Sequence, residues 1–224
     1  MAYRKSHRNS AEHDLFVFHI EHSTLFDREH LETEKLRTET SQDITAMCYT
    51  RNDDFLMCGT NSGHIMILEC TVQHTQKTHK WTYVKQLSSS HHRDDITKIC
   101  FSAKYRFMAT LDLHGLVVIW NGGSWTQLFC LQKEDSKLYT HLAWHPFVEE
   151  ELILGKSIYP ALYLINVVQK KVMACYMNWT EGTEITSIAF NPVTAQLAVC
   201  FYMKGKFSSF SYILIQNSFH RRLY

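Results

Sequence analysis

The sequence predicts an all-β protein that repeats one unit of short strands. Two stretches show the repeat, because "DDITKICF" from Asp94 and "TEITSIAF" from Thr183 are almost alike. Related openings start at Ile44, Ile96, Tyr139 and Ile185. Each leads through a polar turn into a second apolar run and then into a third. Short runs that are rich in Ile, Val, Leu, Tyr and Phe and divided by frequent turns are typical of antiparallel strands.

The predicted strands follow one order in every copy. The first runs are "ITAMCY", "ITKICF", "YTHLAW" and "ITSIAF", and the second runs are "FLMCGT", "FMATL", "LILGK" and "LAVCFY". The third runs are "HIMILE", "LVVIWN", "LYLINV" and "YILIQ". A fourth, outer strand is predicted at Trp81 to Leu87, Trp125 to Leu131 and Lys170 to Tyr176. Gly63 and Gly115 precede the third strand of their copies, in turns that favour a positive φ.

Four strands that return every 40 to 45 residues, roughly, are typical of one blade of a β-propeller. The predicted blades span approximately 44–87, 94–131, 139–176 and 185–215, within a propeller domain at 14–215. The flanking segments are predicted to be a disordered basic N-terminus at 1–13 and a short tail at 216–224.

One apolar run precedes the first full copy. This run, Leu15 to Ile20, has the sequence "LFVFHI". It fits the third strand of an earlier blade, which would make the chain part of a larger propeller. Alternatively, it supplies the missing outer strand of the last copy and closes a small ring.

The amino-acid composition limits where the protein can be located and what it can bind. With 45% hydrophobic residues and a net charge of +1, the chain can bury a core and has no general attraction for nucleic acids or anionic membranes. Its longest apolar stretches, such as Leu162 to Val168, are far shorter than the roughly 20 residues that span a bilayer. We therefore predict a cytoplasmic and/or nuclear protein with no nucleic-acid or membrane partner.

No catalytic or metal-binding pattern is recognisable. The seven cysteines are odd in number, contain no CxxC and fall mostly within predicted strands, where cysteine acts as a small buried hydrophobe. The nearest zinc candidates, His91, His92 and Cys100, lack paired spacing. Gly-rich phosphate loops, Gly-x-Ser-x-Gly elbows and His-Glu-x-x-His motifs are missing from the sequence. We predict a protein that is not an enzyme and needs no cofactor.

The second copy resembles a WD repeat. Its third strand ends "VVIWN", similar to the Trp-Asp ending of such repeats, and the preceding His91 and His92 resemble their Gly-His opening. The other copies replace Trp120 with Leu68, Ile165 and Ile215. A regular WD repeat has an Asp six residues before the Trp, but His114 occupies that position and Asp112 lies two residues early. Blade identity therefore rests on the period and the strand pattern more than on these signature residues.

The succession of "ITKICFSAKYRFMATLDLHGLVVIW", "GGSWTQLFCLQ", "THLAWHPFVEEELILG", "LYLINVVQKKVMACY" and "ITSIAFNP" resembles the fizzy family, the WD-repeat activators of the anaphase-promoting complex. Within that family it is most similar to the insect cortex branch. That family is seven-bladed, so the resemblance implies an incomplete propeller of about four blades and a remnant strand. The implied function is recruitment of substrates to this ubiquitin ligase in mitosis or meiosis, with ligase subunits and degron-bearing proteins as partners.

The resemblance also implies a degron-docking face. The positions that match it are Leu113, His114, Ser157 and Glu184. The family's N-terminal docking box and C-terminal Ile-Arg are both missing from this sequence. Two alternatives therefore stay open: a WD-repeat interaction scaffold unrelated to ubiquitin ligation, or a non-functional truncated product. Arg28 to Leu31 also matches a minimal destruction box, although its charged surroundings indicate a solvated loop.

Overall fold

The structure is a computed structural model. It describes the backbone of residues 2–5, 14–19, 32–37, 42–50, 54–73, 78–89, 91–131, 139–157, 160–177, 183–203 and 211–215. Side chains are described for 42–50, 54–70, 81–89, 91–131, 139–157, 160–177 and 183–202. The predicted tail at 216–224 and the motif at Arg28 to Leu31 lie outside the described residues.

Within these residues all the regular structure is β. The strands are β1 (Ala2–Lys5), β2 (Asp14–His19), β3 (Glu32–Arg37), β4 (Ile44–Tyr49), β5 (Phe55–Thr60), β6 (His64–Gln73), β7 (Thr78–Ser88), β8 (Ile96–Phe101), β9 (Phe107–Asp112), β10 (Val117–Asn121), β11 (Gln127–Leu131), β12 (His141–Trp144), β13 (Glu151–Lys156), β14 (Ala161–Asn166), β15 (Lys171–Tyr176), β16 (Thr183–Phe190), β17 (Leu197–Met203) and β18 (Ser211–Ile215). The described part of the chain contains no helix long and apolar enough to cross a membrane.

The strands form five antiparallel sheets, each connected in chain order. Blade 1 is β1-β2-β3, blade 2 is β4-β5-β6-β7, blade 3 is β8-β9-β10-β11, blade 4 is β12-β13-β14-β15 and blade 5 is β16-β17-β18. This succession of sheets agrees with the predicted all-β propeller fold. The fold is all-β because turns interrupt the apolar runs at short intervals. Neighbouring runs can then pair as strands, but none is long enough to form a packed helix.

The strand pairing in blade 1 differs from two predictions. Leu15 to Ile20 overlaps β2, which lies between β1 and β3, so this run does not complete blade 5. The predicted disorder at 1–13 is wrong for Ala2–Lys5, because that segment is a strand paired with β2. The backbone of β2 has hydrogen-bonding groups on both edges, and β1 satisfies those on one edge whatever its own side chains are.

The repeated Thr of the opening motif marks a β-bulge. The pairing of first and second strands shifts between Ile44 and Ala46 in blade 2, and again at the equivalent place in blades 3 and 5. In blade 2 the bulged residue is Thr45, whose hydroxyl donates to the Ile96 carbonyl at 2.7 Å. Bulges re-aim a side chain. Here the bulge directs a hydroxyl to the next blade.

Apolar side chains fill the spaces between successive blades. Blades 2 and 3 share a core that includes Met57, Ile67 and Trp120, and blades 3 and 4 share one around Leu142. A third core joins blades 4 and 5. Blades 2 to 5 therefore each bury apolar surface against a neighbour, as expected for stacked repeats.

Blade 3 contains a buried hydrogen-bond network that the sequence analysis missed. The Nδ1 of His92 lies 2.8 Å from a carboxylate oxygen of Asp112, and its Nε2 lies 2.8 Å from the Thr110 hydroxyl. The indole N–H of Trp120 donates to the same hydroxyl at 2.9 Å. Asp112 ends β9 opposite Ile96, and its side chain, not that of His114, reaches His92.

The turn glycines behave as predicted. Gly63 and Gly115 have φ of 77° and 75°, in the left-handed region that favours glycine. A Cβ on Gly63 would also lie 2.8 Å from the backbone of His92. Glycine is therefore required at position 63 for two reasons: the turn needs a positive φ, and the packing between blades leaves no room for a Cβ.

Candidate protein-docking face

Each blade has two ends, and the predicted site residues share one of them. We define the upper end as the end where the second strand turns into the third and where the fourth strand leads into the next blade. The lower end carries the turns between first and second strands and between third and fourth strands. Leu113 and His114 lie in the β9–β10 turn, Ser157 follows β13, and Glu184 is near the start of β16. All four therefore lie at the upper end, in blades 3, 4 and 5.

The upper-end turns of blades 2 and 3 share one design. In blade 3 the Leu113 N–H donates to the Asp95 carbonyl at 2.9 Å, and in blade 2 the Asn61 N–H donates to the Asp43 carbonyl at 2.9 Å. In each of these two turns, the side chain of the residue that ends the second strand also accepts a backbone N–H from the far side of the turn. In blade 3 this acceptor is the carboxylate of Asp112, which binds the Leu116 N–H at 2.9 Å. These hydrogen bonds therefore hold both turns in one conformation.

The side chain of His114 is held by Asp94, which lies in the connection between β7 and β8. Its Nε2–H donates to a carboxylate oxygen of Asp94 at 2.8 Å, and both side chains are exposed. The backbone N–H of Asp95, and then the bond to His114, lower the pKa of Asp94. The carboxylate is therefore ionised at neutral pH. Beside it, Leu113 is 57% exposed. An apolar side chain next to an oriented imidazole–carboxylate pair can recognise both apolar and charged groups of a partner.

Ser157 is directed to the next blade. Its hydroxyl donates to the Ile185 carbonyl at 2.6 Å, and the Thr140 hydroxyl lies 3.0 Å from it. The Nε2–H of His141 donates to the same Ile185 carbonyl at 3.0 Å. The structure thus brings Ser157 beside the residue that follows Glu184. Glu184 itself is half-buried and pairs through its backbone with Tyr202.

His141 makes the junction of blades 4 and 5 sensitive to acid. Burial, and then the positive charge of Lys98, lower the pKa of His141 from 6.5 to about 4. Between these two values the unfolded chain binds more protons than the folded chain, so the stability present above pH 6.5 is lost as the pH falls to 4. We expect the free energy of unfolding of His141→Gln to fall less than that of the unchanged chain between pH 7 and pH 4.5. Urea unfolding at both pH values measures this, and equal losses would refute it.

Sequence reasoning missed Asp94, the partner of His114. A weak signal was available, since an acidic residue directly precedes the opening motif in three copies, as Asp43, Asp95 and Glu184. The carbonyls of Asp43 and Asp95 receive the turn bonds described above. Asp94 is adjacent to Asp95 and lies at the same end as His114, so its pairing with His114 could have been inferred.

The described side chains do not assemble a metal centre. No group of three or more His, Cys, Asp or Glu in this part of the chain could hold a metal ion. Of the residues weighed for zinc, His92 is engaged by Asp112 and Thr110. Burial raises the pKa of the Cys100 thiol. A buried thiol that keeps its proton is a poor metal ligand.

Comparison with solved structures shows the same fold. The β-propeller domain of Myceliophteria thermophila Cps50 (Swd1) matches with a TM-score of 0.65 and 14% identity, over 84% of this chain and 59% of that one. The RRP9 WD40 repeats match with a TM-score of 0.56 and 11% identity, over 80% of this chain and 52% of that one. U3-55K matches with a TM-score of 0.56 and 12% identity, over 80% and 53%. The chain thus spans between half and three-fifths of these structures.

Comparison of the sequence identifies the family. No curated protein matches the chain significantly. The family model of the second β-propeller of WD repeat-containing protein 75 matches residues 4–216. The WD-repeat part of the predicted resemblance is confirmed, whereas the matched family is not the fizzy family. The chain belongs to the family of the second β-propeller of WD repeat-containing protein 75.

Proposed function

We propose that this chain is a non-catalytic WD-repeat scaffold that binds a protein partner at its upper end. The exposed pair of Leu113 and His114 carries the proposal, because the turn that bears it is fixed by two neighbouring segments. Turns from adjacent blades converge at one end of a propeller, so a partner can contact several of them at once. Ser157 and Glu184 extend this face across blades 4 and 5.

Rigidity is the physical reason to expect binding here. Ordering a flexible loop on association costs free energy, and a turn that is already fixed avoids this cost. The hydrogen bond of His114 to Asp94 and the backbone bond of Leu113 to Asp95 hold both residues before any partner arrives. Leu113 exposes apolar surface that a partner can cover.

Affinity capture with quantitative mass spectrometry tests the proposal. The chain with Leu113→Ser and His114→Ala should recover at least one specific partner about tenfold less well than the unchanged chain, since central contacts dominate binding. The matched control is Leu128→Ser in β11, an exposed leucine of the same blade that lies away from this end. Equal recovery by the upper-end variant and the unchanged chain would contradict the proposal.

The resemblance to the fizzy family provides a second hypothesis, recruitment of substrates to the anaphase-promoting complex. The same upper end would serve that function, because the positions that match the family's degron site lie there. The family match favours the scaffold, since it is to a different WD-repeat family. Ligase subunits in the captured set would favour activation. We further propose a cytoplasmic and/or nuclear location, which imaging of the tagged chain tests.

A further inference from the structure

The lower end of blades 4 and 5 exposes apolar side chains at the tips of its turns. Phe147 and Val193 are 60% and 78% exposed, and Val168 is 54% exposed. Single exposed apolar residues are common, but several at one end of adjacent blades are typical of an interaction site. We name Phe147, Val168 and Val193 the lower apolar patch.

The turns that bear the patch are in contact with one another. The ring of His145 lies 6.2 Å from the Phe147 ring in its own turn and 5.3 Å from the Phe190 ring in blade 5. Phe190 comes directly before the turn that carries Val193. In blade 4 the Val167 N–H donates to the Glu150 carbonyl at 2.8 Å, which joins the two turns of that blade.

Both patch turns between first and second strands are rigid. Pro146 precedes Phe147 and Pro192 precedes Val193, and proline fixes its own φ. The residue before each proline closes the turn with its side chain. The His145 Nδ1 accepts the Phe147 N–H at 3.2 Å, and the Asn191 Oδ1 accepts the Val193 N–H at 2.8 Å. The apolar side chains are therefore presented at little entropic cost to a partner.

The fully exposed charge around the patch is basic. In blades 3 to 5, the exposed charged side chains of the described lower-end turns, together with the first residue of β15, are Lys104, Arg106, Lys170 and Lys171. The acidic side chains of this end, Glu149, Glu150 and Glu151, are buried or half-buried. Glu150 pairs with Arg106 at 3.2 Å, and the buried Glu149 accepts bonds from the blade 3 turn. A partner that covers the patch would meet a basic border.

We propose that the lower apolar patch binds an acidic, aliphatic peptide segment of a partner protein. Carboxylates of the segment would face Lys104, Lys171 and Lys170, whose Nζ lies 5.0 Å from the Phe129 ring of blade 3. Its aliphatic side chains would cover Phe147 and Val193. A protein segment fits better than a nucleic acid, because bases stack on aromatic rings and two of the three patch residues are aliphatic. This inference is independent of the partner at the upper end, and it makes the propeller a two-sided scaffold.

Fluorescence anisotropy with a synthetic peptide of alternating Leu and Glu tests the proposal. We expect this peptide to bind about tenfold more tightly than peptides with Lys in place of Glu or Ser in place of Leu. Phe147→Ser with Val193→Ser should weaken binding by a similar factor. Lys104→Glu with Lys170→Glu should weaken it and reduce its dependence on salt.

The upper-end change Leu113→Ser with His114→Ala is the matched control and should leave peptide binding unchanged. This separates failure at one end from failure at the other. Thermal unfolding of each variant verifies that it is folded. Equal binding of all three peptides, or no binding, would overturn the proposal. So would preferential binding of an RNA oligonucleotide that is insensitive to Phe147→Ser, or a dimer in sedimentation that Phe147→Ser dissociates.

Discussion

His92→Ala is expected to lower the free energy of unfolding by about 3–5 kcal/mol. The imidazole lies between the carboxylate of Asp112 and the hydroxyl of Thr110, and all three side chains are buried. Removing it leaves a buried carboxylate without its charged or hydrogen-bonding partner and opens a cavity beside Trp120. Urea unfolding followed by tryptophan fluorescence measures the change.

His114→Ala is the matched control for this change. It removes the same type of residue from the same blade, and the lost pair with Asp94 also spans 2.8 Å. Water replaces the lost bond because both groups are exposed, so stability should hardly change. Equal losses for His92→Ala and His114→Ala would mean that the buried network does not hold blade 3 together.

Glu149→Ala is expected to cost about 2–4 kcal/mol, because it removes a buried polar link between blades 3 and 4. One carboxylate accepts the Ser102 hydroxyl, the Lys104 N–H at 2.7 Å and the Arg106 N–H at 3.0 Å. The Ser102 hydroxyl is buried, so water cannot replace the lost acceptor for that group. The same urea unfolding experiment measures the loss.

Two further changes test the cause of this loss. Glu149→Gln keeps one acceptor oxygen and should cost less than Glu149→Ala. Glu150→Ala removes the neighbouring carboxylate, whose pair with Arg106 is partly exposed, and should cost less than about 1 kcal/mol. A loss for Glu150→Ala as large as that for Glu149→Ala would show that overall charge, not the buried link, stabilises the junction.

The strand pattern was predictable because it depends on local chemistry. Short β-branched and aromatic runs, turn residues and a regular period indicate strands without knowledge of their packing. The same reasoning explains why Gly63 and Gly115 were placed correctly. It did not extend to Ala2–Lys5, since that strand exists because β2 offers it a pairing edge.

The blade 3 network could not be found by counting residues. A fixed spacing from Trp120 selected His114 and passed over Asp112, although strand register brings Asp112 to His92. Glu149 poses a similar problem, because "EEE" gives no sign that only the first carboxylate is buried. Both interactions join residues far apart in sequence, so pairing and packing determine them.

The candidate site was predictable only in part. Leu113, His114, Ser157 and Glu184 came from a family resemblance, and the structure places them at one end of three blades. The lower apolar patch was not predicted. The sequence places Phe147 and Val193 in polar turns, each after a proline, but only the structure shows that both side chains are exposed at the same end of adjacent blades.

Site-specific photo-cross-linking tests the central claim, a protein-docking face at the upper end, most directly. A photoreactive amino acid at position 113 is compared in cells with the same residue at position 128, since both positions hold an exposed leucine of blade 3. We predict a discrete cross-linked protein from position 113, none from position 128, and loss of the product with His114→Ala. Equal products from both positions, or none from position 113, would contradict the proposed docking face.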